Sequence, residues 1–442
     1  MLAGMKAYRA AILSFDPESG SPRYEADGLL LTVPGAAGPG SPRVVRAVGP
    51  FHELIRDYPG LAVEHLQDRL IAPGFVDLHV HYPQTDVIGS PAEGLLPWLE
   101  RYTFPHEARF HDPSYAAGVA EFFLDELQRH GVTTALTFCT SHPQSVDALM
   151  RAARPRGLRL IAGKCLQDRH CPDGVRDATE QSLLDSEALI RRWHGVGRLG
   201  YAITPRFAPS CTDAQLQGAG ELAARHPGVW IQSHVAENLD EIRWVRELYP
   251  ADRSYLLVYQ RFGLLRERAL YAHCLHFDAE DRALLRESGA AAAVCPTSNF
   301  FLGSGCFDFD LAARAGFRHG LASDVGGGTS FSPFKTMLSA YEAGRASFTG
   351  GGPAKNGISL APGRLWWLHT AGAARALGLE GLVGNLVPGA EADFIVLDPQ
   401  ATPLLARRTR QAASLDELLF ALIVLGDERV VESTVAAGSV VD

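Results

Sequence analysis

The chain reads as an α/β protein: a (β/α)8 barrel beside a small β domain built from both chain ends. Three observations carry this reading. From Ile71 onward, apolar strand-like segments alternate with helical ones eight times over. Before residue 71, and again after about residue 380, short strands bounded by Gly, Pro and Ser replace that alternation. Histidines and acids gather where the apolar segments end, which is where a TIM-like barrel keeps its chemistry. Eight even alternations favour closure, since open doubly wound sheets seldom show so many; an open α/β sheet is the alternative. At 442 residues the chain has room for a barrel of about 250 residues and a smaller unit. The division expected is 1–70 with 380–442 in a small β-sandwich-like domain, and 71–379 in the barrel.

The elements follow in order. Ala10–Phe15, Gly28–Val33 and Arg43–Val48 read as strands, with the Gly/Pro-rich Pro34–Pro42 as an exposed hairpin tip. Pro73-Gly74 turns the chain into the first barrel strand, Phe75–Val80. The connection that follows, Tyr82–Asp112, exceeds ordinary loop length, as lids and binding loops do. Asp112-Pro113 then has the form of an N-cap and first helical residue, with Val119, Phe122, Phe123 and Leu127 as the apolar stripe. Seven further strands are expected at Val132–Phe138, Leu158–Lys164, Gly200–Thr204, Val229–Ser233, Ala269–His273, Ala291–Cys295 and Gly320–Asp324. Among the helices between them, one opens on a Thr212/Gln215 capping box and another runs from Asp278 to a Gly289 stop. Beyond the barrel come a helix over Ala371–Leu379, the turn and strand of Gly384–Leu397, and a helix at Leu415–Leu425.

Composition narrows the function. A net charge of -9 without any basic cluster argues against a nucleic-acid partner. Seven cysteines with no Cys-x-x-Cys pair fit a reduced, cytoplasmic setting. No stretch approaches the roughly 20 apolar residues of a membrane helix, so no membrane partner is expected.

The chemistry starts with His79 and His81. Residues two apart on a strand share a face, so their imidazoles project side by side as half of a metal site. An alternating pair alone carries little weight, but it has company. His234 closes the fifth strand with Glu237 and Asn238 just beyond, His273 closes the sixth, and Asp324 the eighth. His79, His81, His234 and Asp324 can enclose one divalent cation and leave a position open for water. A zinc ion lowers the pKa of such a water from roughly 15.7 to about 7. Asp324 is placed to take that water's proton, Glu237 to pass one to a substrate ring nitrogen, and His273 to hydrogen-bond the attacking oxygen. The reaction expected is metal-assisted hydrolysis of a C–N bond. A solvated Glu237 at a helix start, or an N-capping Asp324, is the blander alternative. Lys164 reads as a barrel-rim lysine, and Gly326-Gly-Gly as a tight turn. Cys165 and Cys171 read as ordinary thiols, Gly350-Gly-Gly-Pro as a surface loop, and His106, His111, His276 and His369 as surface or packing residues.

Pro73-Gly-Phe-Val-Asp-Leu-His-Val-His81, with His on strands five and six and Asp on strand eight, resembles the amidohydrolase superfamily. Within it, His81-Tyr-Pro-Gln84, Trp98-Leu-Glu-Arg-Tyr-Thr-Phe-Pro105, Ile203-Thr-Pro-Arg-Phe207 and Ser233-His-Val-Ala-Glu-Asn238 resemble the guanine deaminases. So do Ala272-His-Cys274, Pro296–Gly305 and Ser323–Ser330. This resemblance implies hydrolytic deamination of guanine at C2 to xanthine and ammonia, in purine catabolism or salvage, with one zinc per chain and a homodimer. It implies His79, His81, His234 and Asp324 as ligands, and Glu237, His273 and Asp324 as proton carriers. Gln84, Arg206 and Phe207 would hold the base. The His3Asp set admits iron as well as zinc. The alternatives are a deaminase or chlorohydrolase acting on another purine, pyrimidine or triazine ring, a two-metal cyclic amidase, and a barrel that serves only as a scaffold.

Overall fold

The computed structural model describes residues 4–36, 41–346 and 357–441. The tip of the Pro34–Pro42 hairpin and Gly350-Gly-Gly-Pro lie outside the described residues. Among the described residues, sixteen strands fall into two sheets. The first is mixed and joins both chain ends: β1 (Lys6–Phe15), β2 (Pro22–Val33), β3 (Val44–Pro50) and β4 (Glu64–Pro73) pair with three strands from the far end of the chain. Those are β14 (Phe394–Leu397), β15 (Val431–Ala436) and β16 (Ser439–Val441), and β14 lies antiparallel to β4.

The second sheet is the parallel barrel. Its path runs through β5 (Phe75–His81), β6 (Val132–Phe138), β7 (Arg159–Gly163), β9 (Gly200–Pro205), β10 (Trp230–Val235), β11 (Ala269–His273), β12 (Ala291–Val294) and β13 (Arg318–Leu321). A two-residue strand, β8 (Cys165–Leu166), adds to β9 off that path. The residues just past β13 close the ring: Asp324 N donates to His79 O at 2.9 Å, and His81 N donates to Val325 O at 2.8 Å. Asp77 reinforces the closure, its Oδ1 accepting from Ser323 N at 3.0 Å.

Two apolar layers result from the alternation of side chains. Val76, Leu78, Leu136, Ile161, Leu270, Ala291 and Ala293 fill the barrel, plugged from below by Ala373 and Ala374 of the helix Ala371–Ala376 and by Leu377 just after it. Phe123, Leu127, Tyr201, Tyr271 and Ala292 pack between barrel and helices. β5 changes face partway. Val76 and Leu78 point inward, yet Val80 belongs to the outer layer, because the register with β6 shifts between Asp77 and Val80. Such a bulge re-aims a strand. Here it turns His79 and His81 into the barrel mouth instead of Val80.

Other elements differ from expectation in instructive ways. β13 ends at Leu321, so Asp324 stands beyond the strand, in the left-handed region at φ 53°. The Thr212 cap forms, but Gln215 turns inward to Ser182 and does not return to Thr212, leaving the box half made. Phe122 is 54 % exposed and no part of the helix stripe. The long connection is built of successive short helical turns between Tyr82 and His111. The helix after it, Pro113–Arg129, starts as expected, with the Asp112 side chain accepting from Ser114 N at 2.8 Å. Asp112→Ala removes that cap and is expected to destabilise the fold by about 1 kcal/mol, read as a lower denaturant midpoint at unchanged slope.

Candidate active site

His79 and His81 on β5, His234 near the end of β10 and Asp324 beyond β13 converge at the barrel mouth. His79 Nε2 and His81 Nε2 lie 3.0 Å apart, and His81 Nε2 and His234 Nε2 lie 3.3 Å apart. Asp324 Oδ1 stands 3.2 Å from His79 Nε2 and 3.4 Å from His81 Nε2. All four donor atoms fall within 4.8 Å of one another. Tetrahedral zinc, with ligands at about 2.0–2.1 Å, needs donor atoms about 3.3 Å apart, so the set fits a single ion. The protonation states agree. Burial holds His81 down at about 4 and His234 well below the ordinary histidine range, leaving lone pairs and not protons. His234 Nδ1 donates to Arg206 O at 2.6 Å, which turns its Nε2 toward the cluster, as metal-binding histidines require.

Glu237 and His273 stand beside this cluster. His273 Nε2 is 3.3 Å from Glu237 Oε2 and 3.7 Å from Asp324 Oδ2. Burial, with the Asp324 charge adding to it, raises the Glu237 carboxyl to about 8, the range of a proton donor at neutral pH. Ala236, His273 and Asp324 all have positive φ. For non-glycine residues this costs of order 1–3 kcal/mol each, a strain typical of functional sites. The turn after Asp324 leaves no room for side chains: a Cβ on Gly328 would collide with Ser323 O, and one on Gly326 with Gln84 O.

A cavity opens above these groups. Leu95, Trp98, Leu99, Phe207 and Leu302 make it apolar, with Glu237, His273 and Asp324 at one part of the wall and Gln84 and Arg206 at another. That lining, apolar with a few convergent polar groups, is the lining of a small-molecule pocket. Three of the apolar residues come from the connection after β5, which therefore covers the barrel mouth.

All nine sequence-chosen residues gather here. Lys164 does not: it is 1 % exposed and paired with Asp177 at 2.7 Å, a buried ion pair and not an exposed rim lysine. Five neighbours escaped the sequence reading. Asp77 accepts from His79 N at 3.2 Å, and Glu107 chelates Arg206. Glu241 accepts from Glu237 N at 3.0 Å. Asn299 Oδ1 pairs with His273 Nδ1 at 2.8 Å, and Ser304 Oγ donates to Glu237 Oε1 at 3.2 Å. Asp77 left a trace inside the Pro73–His81 word, and Asn299 and Ser304 inside Pro296–Gly305.

Comparison with known proteins follows from this geometry. A profile described as Amidohydrolase family matches residues 70–441. The chain belongs to the amidohydrolase family. Among amidohydrolases, it is 43 % identical over 420 residues to a guanine deaminase of Escherichia coli strain K12, covering 95 % of this chain and 92 % of that one. It is 38 % identical over 441 residues to a probable guanine deaminase of Deinococcus radiodurans, covering 99 % and 98 %. A crystal structure of guanine deaminase from C. acetobutylicum with bound guanine in the active site superposes with a TM-score of 0.90 at 28 % identity, covering 99 % of this chain and all of that one, 100 %. No helix among the described residues of this amidohydrolase is long and apolar enough to cross a membrane.

Proposed function

We propose that the chain hydrolyses guanine at C2 to xanthine and ammonia, with one zinc ion held by His79, His81, His234 and Asp324. The carrying observation is a largely apolar cavity whose polar wall offers amide and guanidinium donors at one part and proton carriers beside a His3Asp cluster at another. The names borne by the relatives support the same substrate.

The residues divide the work. A divalent ion in the cluster supplies an activated water at neutral pH. Phe207, Trp98 and Leu99 line the ring's site and exclude bulk water. Arg206 and Gln84 orient the base, the arginine's donors facing acceptors at O6 and N7. Asp324 takes the proton released as the water oxygen bonds to C2. Glu237 delivers a proton to the ring nitrogen beside C2, and His273 hydrogen-bonds the attacking oxygen. The C2–N bond then breaks and the amino group leaves as ammonia after taking up a proton, so that guanine and water give xanthine and ammonia.

The chain works as a homodimer in the cytoplasm, a setting that suits its seven free thiols. Its two structural units are 1–70 with 380–442, and 71–379. Purified protein given guanine, adenine, cytosine and a triazine tests the assignment by ammonia release and ultraviolet change. Guanine alone is expected to react, because adenine sets an amino donor against the Arg206 donors. Arg206→Ala is expected to lower kcat/KM for guanine about 10- to 100-fold. Turnover of another ring, with guanine untouched, overturns the substrate while leaving the metal site.

A further inference from the structure

Behind the cavity wall lies a carboxylate that none of the proposed steps uses. Glu107, on the turn Phe104–Glu107, is 1 % exposed and does not line the cavity. Its two oxygens take both ends of the Arg206 guanidinium, Oε2 from Nη1 at 2.7 Å and Oε1 from Nη2 at 3.1 Å. Oε1 also accepts from Gln84 Nε2 at 3.1 Å. Gln84 is held at its other end as well, its Oε1 accepting from Gly326 N at 3.2 Å. Arg206 is 3 % exposed and stands 5.1 Å from the Phe104 ring centroid. One carboxylate thus orients both groups assigned to base recognition and balances the charge of one of them.

We propose that Glu107 is a positioning and specificity residue: by neutralising Arg206 and aiming Gln84, it makes the pocket select a neutral ring over its anion. This rests on the assignment of guanine as substrate. A guanidinium has five N–H donors, and the bidentate pair with Glu107 uses two, leaving three for ligand. Without Glu107, a full positive charge would stand unpaired in a low-dielectric wall, where it attracts anions strongly. The distinction matters for this reaction. Guanine is neutral at working pH, whereas deamination leaves an oxo group and a second acidic ring N–H, so xanthine ionises at lower pH. A charge-balanced wall therefore binds substrate and lets the ionised product go.

Glu237 and Glu241, raised by burial to about 8 and about 7, share the pocket and titrate in this range, so the effect is read as a ratio between two proteins that both carry them. Burial drives the thiols of Cys165 and Cys171 up, to about 12 and about 11. It drives the imidazoles of His81, His106 and His142 down. All five stay uncharged across the pH range in which xanthine ionises, and Lys164 beyond them is paired with Asp177.

The test is inhibition of guanine turnover by added xanthine, measured across the pH range in which xanthine ionises, on metal-loaded protein. For Glu107→Gln, the wild-type Ki divided by the variant Ki is expected to rise at least tenfold from the neutral to the ionised form. Arg206→Gln leaves Glu107 unpaired, and its ratio is expected to fall over the same range. Metal content and thermal unfolding check that each variant is folded. If the Glu107→Gln protein does not accumulate, Glu107→Ala, which removes the same charge, decides in its place by the same rise. A pH-independent ratio in the folded variants overturns the proposal, since a merely structural role weakens neutral and anionic xanthine alike. Absence of guanine turnover in the unaltered protein fails the substrate assignment instead, a different result from turnover with an unchanged ratio.

Discussion

His79→Ala protein is expected to bind zinc more than roughly 100-fold more weakly than the unaltered chain, and its turnover to fall in step with occupancy. Loss of a group that merely supports a ligand costs about 10- to 100-fold in metal affinity, and His79 is itself in the donor set. Its Nε2 lies within 3.2 Å of both the His81 nitrogen and an Asp324 oxygen, so nothing else can take its place. The remaining donors, His81, His234 and Asp324, give three contacts and a hole the size of an imidazole. Metal content at fixed free zinc and initial rates with guanine are the measurements. Treating the unaltered chain with a chelator is expected to abolish turnover, and one equivalent of zinc to restore it. Unfolding gives an independent readout. An ion present at 100 times its Kd stabilises the native state by about 2.7 kcal/mol, so zinc should raise Tm in the unaltered chain and far less in the variant. Full activity in chelated protein would remove the metal from the mechanism.

The sequence displayed the barrel because its strands are short, apolar and cleanly bounded. Val132–Phe138 follows Gly131, Ala269–His273 ends where the chain enters positive φ, and the observed bounds equal the expected ones. What periodicity cannot see is a break in period. Alternation from Phe75 would place Val76, Leu78 and Val80 on one face; the bulge before Val80 puts His79 and His81 there instead. The two histidines were still legible as a pair, because residues two apart share a face on either register. Asp324 was legible as a strand-end acid but not as a residue beyond the strand, since its left-handed φ carries no mark in composition. Phe122 adjoins Phe123 in sequence yet faces solvent, because one step along a helix turns a side chain by about 100°. Glu107 and Glu241 stayed hidden for a plainer reason. An acid on a connection or in a helix's first turn ordinarily faces water, and only the fold shows that these two are buried against the site.

Glu237→Gln is expected to lower kcat for guanine by about 10²- to 10⁴-fold, with KM and metal content little changed. Gln preserves the shape of the side chain, and that shape is tightly held. Ser304 Oγ reaches Oε1 at 3.2 Å, His273 Nε2 lies 3.3 Å from Oε2, and the backbone N donates to Glu241 at 3.0 Å. The amide can therefore occupy the carboxyl's place and still meet the ring, which preserves ground-state binding. It cannot give up a proton and regain it. A loss confined to kcat is the signature of an interaction made only on the way to the transition state. Glu237→Asp separates position from proton affinity. It keeps an ionisable group but withdraws it by one methylene, and a misplacement of about 1 Å can cost 10²-fold. If the Asp variant recovers no more rate than Gln, reach is the limiting property. If the Gln variant retains kcat within tenfold of the unaltered chain, the proton reaches the ring by another route, and His273, whose Nε2 is the nearest alternative, becomes the carrier to test.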